Sequence, residues 1–99
     1  MQVYIIYSKS LDKYYVGESE DANKRLVLHN SAHFSNSFTA RARDWRLVMT
    51  LTCENRVTAR KIEVHIKRMK SRKYIEDLIT YPEMRIKLLN RFSLPGSSR

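Results

Sequence analysis

Two strand-like runs separated by four polar residues constrain this chain more than any other feature. "QVYIIYS" spans residues 2–8, "KYYVGE" spans 13–18, and "KSLD" lies between them. Both runs are rich in β-branched and aromatic residues, which suit a pleated, half-buried surface. A link this short cannot carry a crossover, so the runs form an antiparallel hairpin. Pairing Ser8 with Lys13 sets the ladder: Tyr4 then faces Gly17, and Ile6 faces Tyr15. In that register Tyr4 and Tyr15 are diagonal neighbours on one face. Gly17 leaves space beside Tyr4 that a ligand backbone can enter. A slip of one residue would send the tyrosines to opposite faces. Taken alone, two tyrosines and a glycine on paired strands read most simply as packing.

Beyond the hairpin, Ser19 is the expected N-cap of a helix over 20–30, with Glu20 and Asp21 in its first turn. Arg25 and His29 are four residues apart and project from one side of that helix. Near tyrosine hydroxyls such a pair can grip a phosphate; the alternative is a solvated polar face. Residues 31–44 lack a period and are rich in Ser and Asn, so they read as a loop with an exposed basic tip at Arg41 and Arg43. "WRLVMTLT" at 45–52 reads as a third strand. Asn55 caps a helix over 56–70, in which Thr58, Ala59, Ile62, Ile66 and Met69 recur at helical spacing. Ser71 caps a helix over 72–80, Pro82 ends it, and "EMRIKLLNRF" forms a last helix. This order predicts one α/β domain over 1–92, a small mixed sandwich with a three-stranded, largely antiparallel sheet flanked by helices, and a flexible tail over 93–99.

Charge narrows the partner. Nineteen Lys and Arg against ten Asp and Glu give a net charge of +9 in 99 residues. Such an excess attracts polyanions, nucleic acid first and an anionic membrane surface second. The membrane reading is the poorer one, because the apolar stripe of the 56–70 helix is needed for the core. No apolar run approaches the ~20 residues of a membrane span, and "MQVYIIYSKS" lacks the basic leader of a signal peptide. Cys53 is the one cysteine and cannot form an internal disulfide. These features point to the cytoplasm.

One carboxylate stands out. "RVTARKIEVHIKRMKSRK" at 56–73 holds eight Lys or Arg and a single acid, Glu63. At about 100° per residue, Glu63 borders the face formed by Ile62, Ile66 and Met69, flanked by Lys67 and Lys70. An ordinary Glu63–Lys67 pair would contribute only about 0.3–0.5 kcal/mol. A ligand for Mg²⁺ is the other reading, since that ion uses oxygen donors and one or two protein carboxylates.

Taken together, the motifs resemble the GIY-YIG endonuclease domain, most closely its short standalone bacterial members, and also the N-terminal module of the excinuclease incision subunit. "QVY" at 2–4 stands for the first motif, with Tyr4 as its tyrosine, and "YVG" at 15–17 for the second, with Tyr15 and Gly17 in place. "NKRLVLHN" at 23–30 matches the family helix through Arg25 and His29, "RARDWRLVMTLT" at 41–52 the stretch entering the third strand, and "ARKIEVHIK" at 59–67 the helix of the catalytic glutamate, Glu63. Each motif is weak alone; five in order are specific. Gln2 and Val3 replace the first motif's glycine and isoleucine. Glu18 follows the second motif where a neutral residue is more usual, so it would repel phosphate or join the metal shell. Asn90 is a weak match to a later asparagine.

The resemblance implies a metal-dependent DNA endonuclease, used in repair or recombination, with Mg²⁺ or Mn²⁺ as cofactor and DNA as partner. Glu63 would be the sole protein ligand of the metal. Tyr4 or Tyr15 would orient or deprotonate the attacking water, Arg25 would stabilise phosphorane-like charge, and His29 would hydrogen-bond a tyrosine or accept a proton. Arg25 and the metal would favour a tyrosine's phenolate. Arg41, Arg43, Arg60, Lys67 and Lys70 would contact phosphates. The sequence leaves open a protein partner and a second reading, a binding module that kept the fold and lost cleavage.

Overall fold

The computed structural model describes residues 1–31 and 37–93. The tail reading for 94–99 and part of the loop reading, 32–36, lie outside the described residues. In order, the elements are β1 (Gln2–Ser8), β2 (Lys13–Ser19), α1 (Ala22–Asn30), a 3₁₀ turn (Phe38–Arg41), β3 (Trp45–Thr52), α2 (Arg56–Met69), α3 (Arg72–Thr80) and α4 (Pro82–Phe92).

The strands form one antiparallel sheet in the order β2-β1-β3. The hairpin register is the one the four-residue link predicts: Ser8 pairs with Lys13, Ile6 with Tyr15 and Tyr4 with Gly17. The turn closes through Asp12, whose φ of 53° lies in the left-handed region that Asp tolerates better than most residues.

Strand alternation sorts the core into two layers. Val3 and Ile5 of β1, with Val16, Met49 and Leu51, pack against Ala59, Ile62 and Ile66 of α2, Leu78 of α3 and Leu88 of α4. Tyr4 and Ile6 face the opposite way, toward Ala22 of α1 and Ala42 and Trp45. Ile62 and Ile66 are fully buried and anchor α2, each contributing about 1.5–3 kcal/mol of transfer energy. Asn55 and Ser71 cap α2 and α3 through the N–H groups of Thr58 and Tyr74.

Four local expectations are corrected. Asp21, not Ser19, caps α1 by accepting from the Lys24 N–H, because Ser19 is still paired with Gln2 in the ladder. Gln2 has its own task there: its side-chain oxygen accepts from the Ala22 N–H at 3.0 Å. Met69 does not face the core; it is 45% exposed, at the last turn before Lys70 ends α2 in the left-handed conformation (φ 47°). The helix over 72–80 stops before Pro82 as expected, but the last helix begins one residue earlier than read: Pro82 is its first residue, where a missing N–H is harmless. The aperiodic stretch holds the 3₁₀ turn, which has only four residues and so leaves no periodic signal.

Candidate active site

Sheet and helices meet in an open cleft of about 340 Å³ at the β2 edge. Its walls carry Tyr4 from β1, Tyr15, Gly17 and Glu18 from β2, Arg25 from α1, and Arg60, Glu63, Val64 and Lys67 from α2. Tyr4, Tyr15, Arg25 and Glu63, far apart in sequence, are thus brought together. Hairpin register sets the two tyrosines side by side and helical spacing sets Glu63 at the border of α2; the packing of α1 and α2 against the sheet brings them to one cleft. Tyr4 and Tyr15 share a sheet face, Gly17 lets that face reach the edge, and α2 lies across the other side.

Gly17 differs from expectation in what its missing side chain makes room for. The Tyr4 ring itself fills the space: a Cβ at Gly17 would lie 2.5 Å from Tyr4 Oη and 2.6 Å from Cζ. The glycine seats a phenol rather than a ligand backbone.

His29 stands behind the cleft rather than in it. It is 3% exposed; Nε2 is 2.8 Å from Tyr4 Oη and Nδ1 is 2.8 Å from Thr39 Oγ1. With both ring nitrogens engaged and the ring buried, it does not grip a phosphate alongside Arg25. Its ring also lies 5.2 Å from that of Tyr15. The 3₁₀ turn matters here because it delivers Thr39. No spacing in the sequence pointed to Thr39. The start of β3 is fixed by Asn30, whose side chain accepts from the Trp45 N–H at 2.7 Å and donates to the Trp45 carbonyl at 2.8 Å.

Electrostatics bear on Tyr4 and His29. Burial, reinforced by Tyr15, pushes the Tyr4 hydroxyl well above its usual range, and Arg25 opposes this only in part. Without a metal Tyr4 is held as the neutral hydroxyl: Arg25 acts toward the phenolate, as expected, but burial outweighs it. Burial, then the charge of Arg25, pushes His29 down to about 4. A histidine neutral in the folded state and protonated in the unfolded state destabilises the fold as pH drops. The loss begins near the unfolded value of about 6.5 and levels off near 4, and amounts to about 3 kcal/mol. Thermal melts between pH 7.5 and 4 are expected to show this fall, and His29→Gln, which cannot titrate, should flatten it. Equal pH slopes in both proteins would contradict the assignment.

Glu63 is held at the cleft by Lys67, whose Nζ donates to Oε2 at 2.7 Å. The Lys67 ammonium also sits 5.2 Å from the centre of the Tyr15 ring, within cation–π range. The Glu63 side chain is 14% exposed and that of Lys67 is 46%, so the carboxylate is the more buried partner of the pair. Glu18 faces the cleft with Oε2 buried and without a hydrogen-bond partner among the described residues.

Oxygen donors of this kind suit a hard divalent cation such as Mg²⁺ or Mn²⁺. No group of three or more His, Cys, Asp or Glu side chains that could cage a metal occurs among the described residues. One or two carboxylates with waters completing the shell is the arrangement Mg²⁺ favours, so the residues present fit such an ion.

Two further clefts adjoin it on α2, one toward the C-terminal end of the helix and one beside it, around the helix toward α4. Through Tyr15 and Lys67 it joins a second cleft carrying Lys13, Lys70 and Arg72. Through Arg60 and Val64 it joins a third carrying Lys61, Arg68 and Arg91. Arg41 and Arg43 are exposed but lie on the connection into β3, outside all three clefts. Asn90 is exposed on α4 and lines none of them. No helix among the described residues is long and apolar enough to cross a membrane.

A family model described as the GIY-YIG catalytic domain matches residues 1–75. That span runs from β1 through the catalytic-helix candidate α2 and into α3. No curated protein and no solved structure gave a significant match.

Proposed function

The chain belongs to the GIY-YIG family of nuclease domains, and we propose that it is a divalent-metal-dependent endonuclease hydrolysing DNA phosphodiesters. The supporting observation is the meeting of Tyr4, Tyr15, Arg25 and Glu63 on one open cleft inside a basic track. A bound divalent cation would act as a Lewis acid on the phosphate and its leaving oxygen, held by Glu63.

The chain's own residues do the rest. Arg25 lies in the cleft wall, where its guanidinium meets the negative charge that builds on the phosphoryl oxygens. Tyr15, with its ring held by Lys67, orients the attacking water through its hydroxyl. Tyr4 is fixed by His29 and remains neutral, so it positions rather than deprotonates. Arg60, Lys67 and Lys70 line the clefts and carry the phosphate backbone past the site, with Arg41 and Arg43 as contacts beyond it. No helix among the described residues carries a base-reading pattern, so recognition rests on backbone and shape. A role in repair or recombination is consistent with such recognition.

Nicking of supercoiled plasmid tests this reading. Relaxed product is expected with Mg²⁺ or Mn²⁺ and none with EDTA. Binding should weaken steeply with salt, and removing Arg60 and Lys70 together should reduce the log–log salt slope by about 2. A metal-saturated protein that binds plasmid with this salt dependence yet never nicks it would instead identify a binding module of the same fold.

A further inference from the structure

We propose that Glu18 is a second carboxylate ligand of the cation held at Glu63, so that the metal site of this chain has two protein ligands. This rests on the reading of the cleft as a metal-dependent nuclease site, and it departs from the single glutamate that the family resemblance implies.

Placement is the first argument. In the hairpin Glu18 pairs with Val3 and Val16 with Ile5. Val3, Ile5 and Val16 all pack on the sheet face covered by α2. Strand alternation therefore puts Glu18 on that face, whereas Tyr15 and Gly17 belong to the other. Glu63 stands on α2 itself. Because β2 is an edge strand, no further strand comes between Glu18 and the cleft mouth, and both carboxylates line the one cleft.

The second argument is that Glu18 Oε2 is buried with no hydrogen-bond partner among the described residues. A buried carboxylate oxygen left unsatisfied is costly and uncommon in a folded protein. The basic residues lining the same cleft do not supply that bond. A divalent cation does, and in return gains a second hard oxygen donor beside Glu63, which matches the one or two carboxylates Mg²⁺ uses. The residue following the second motif, unusual in its charge, thereby acquires a task.

Titration calorimetry with Mn²⁺ alone, without DNA, tests this. Loss of an outer-shell partner already weakens metal sites by about 10–100-fold. Glu18→Gln should therefore weaken Mn²⁺ binding at least tenfold, as should Glu63→Gln. Without metal, Glu18→Gln should melt at or above the wild-type temperature, because it replaces an unsatisfied charge; with saturating Mn²⁺ its melting temperature should rise less than that of the wild type. Glu18→Asp, which keeps the carboxylate, controls for misfolding and should retain more affinity than Glu18→Gln. A Glu18→Gln protein that loses less than tenfold while Glu63→Gln loses the ion would overturn the two-ligand site and leave the nuclease reading intact. Equal losses in Glu18→Gln and Glu18→Asp would also overturn it. A wild-type protein that binds no Mn²⁺ would overturn the nuclease reading itself.

Discussion

Glu63→Gln is expected to lower plasmid nicking on the order of 10³-fold while leaving DNA affinity unchanged or slightly raised. The asymmetry follows from what the side chain touches. Glu63 borders the core rather than filling it, and among the described residues its ion-pair partner is Lys67 at 2.7 Å. Breaking a partly exposed i,i+4 pair costs about 0.3–0.5 kcal/mol, so the fold survives. Removing a charge from a basic track does not weaken its hold on phosphate. The loss falls on the chemistry, because a glutamine amide cannot anchor a Lewis acid worth several kcal/mol of transition-state stabilisation, and each 1.36 kcal/mol is tenfold in rate. Gel-shift and nicking assays on the same preparation separate the two effects. Activity that survives the substitution would mean that a different carboxylate anchors the ion or that the preparation carries another nuclease.

Gly17→Ala has the largest expected effect of any single-methyl change. The backbone at Gly17 is not left-handed, so the cost is purely steric. The added Cβ would lie 2.5 Å from Tyr4 Oη, 2.6 Å from Cζ and 3.0 Å from Cε2. Tyr4 cannot yield easily. It is on the central strand, paired to β2 and β3 on its two sides, and it is 2% exposed. Forcing the ring aside costs about 1–3 kcal/mol of overpacking and breaks the 2.8 Å contact with His29, a further ~1 kcal/mol. For a domain of this size each kcal/mol lowers the melting temperature by roughly 4–8 °C. Because the displaced hydroxyl lines the cleft, cleavage should fall about 10²-fold as well, the usual consequence of an ångström-scale misplacement. Calorimetry and nicking together check it. A Gly17→Ala protein as stable and as active as the wild type would show that the Tyr4 ring is not seated against that strand.

These two substitutions also mark what the amino-acid sequence makes legible. The hairpin register is readable because a four-residue link leaves one natural pairing, and parity then fixes which tyrosines share a face. The position of Glu63 at the border of the buried seam is readable because helical spacing is nearly rigid. The caps at Asn55 and Ser71 are readable because a side-chain acceptor before an apolar period has few other uses. What escapes is whatever depends on three-dimensional filling. Nothing local says that Tyr4 occupies the gap at Gly17 or that His29 is closed off by Thr39 from an aperiodic stretch. The orientation of Glu18 follows from parity, yet the lack of a hydrogen-bond partner for its Oε2 among the described residues depends on every group packed around it. Met69 shows the converse failure: its spacing continues the apolar stripe, but the helix has by then run past the core.

The most direct test of the account is an anomalous difference map from crystals of the protein soaked in Mn²⁺. The expected result is a peak in the cleft at coordination distance, about 2.0–2.2 Å, from a Glu63 carboxylate oxygen, on the side facing Tyr15 and Arg25. A well-occupied Mn²⁺ elsewhere on the protein, with the cleft of a nicking-competent preparation showing none, would contradict it.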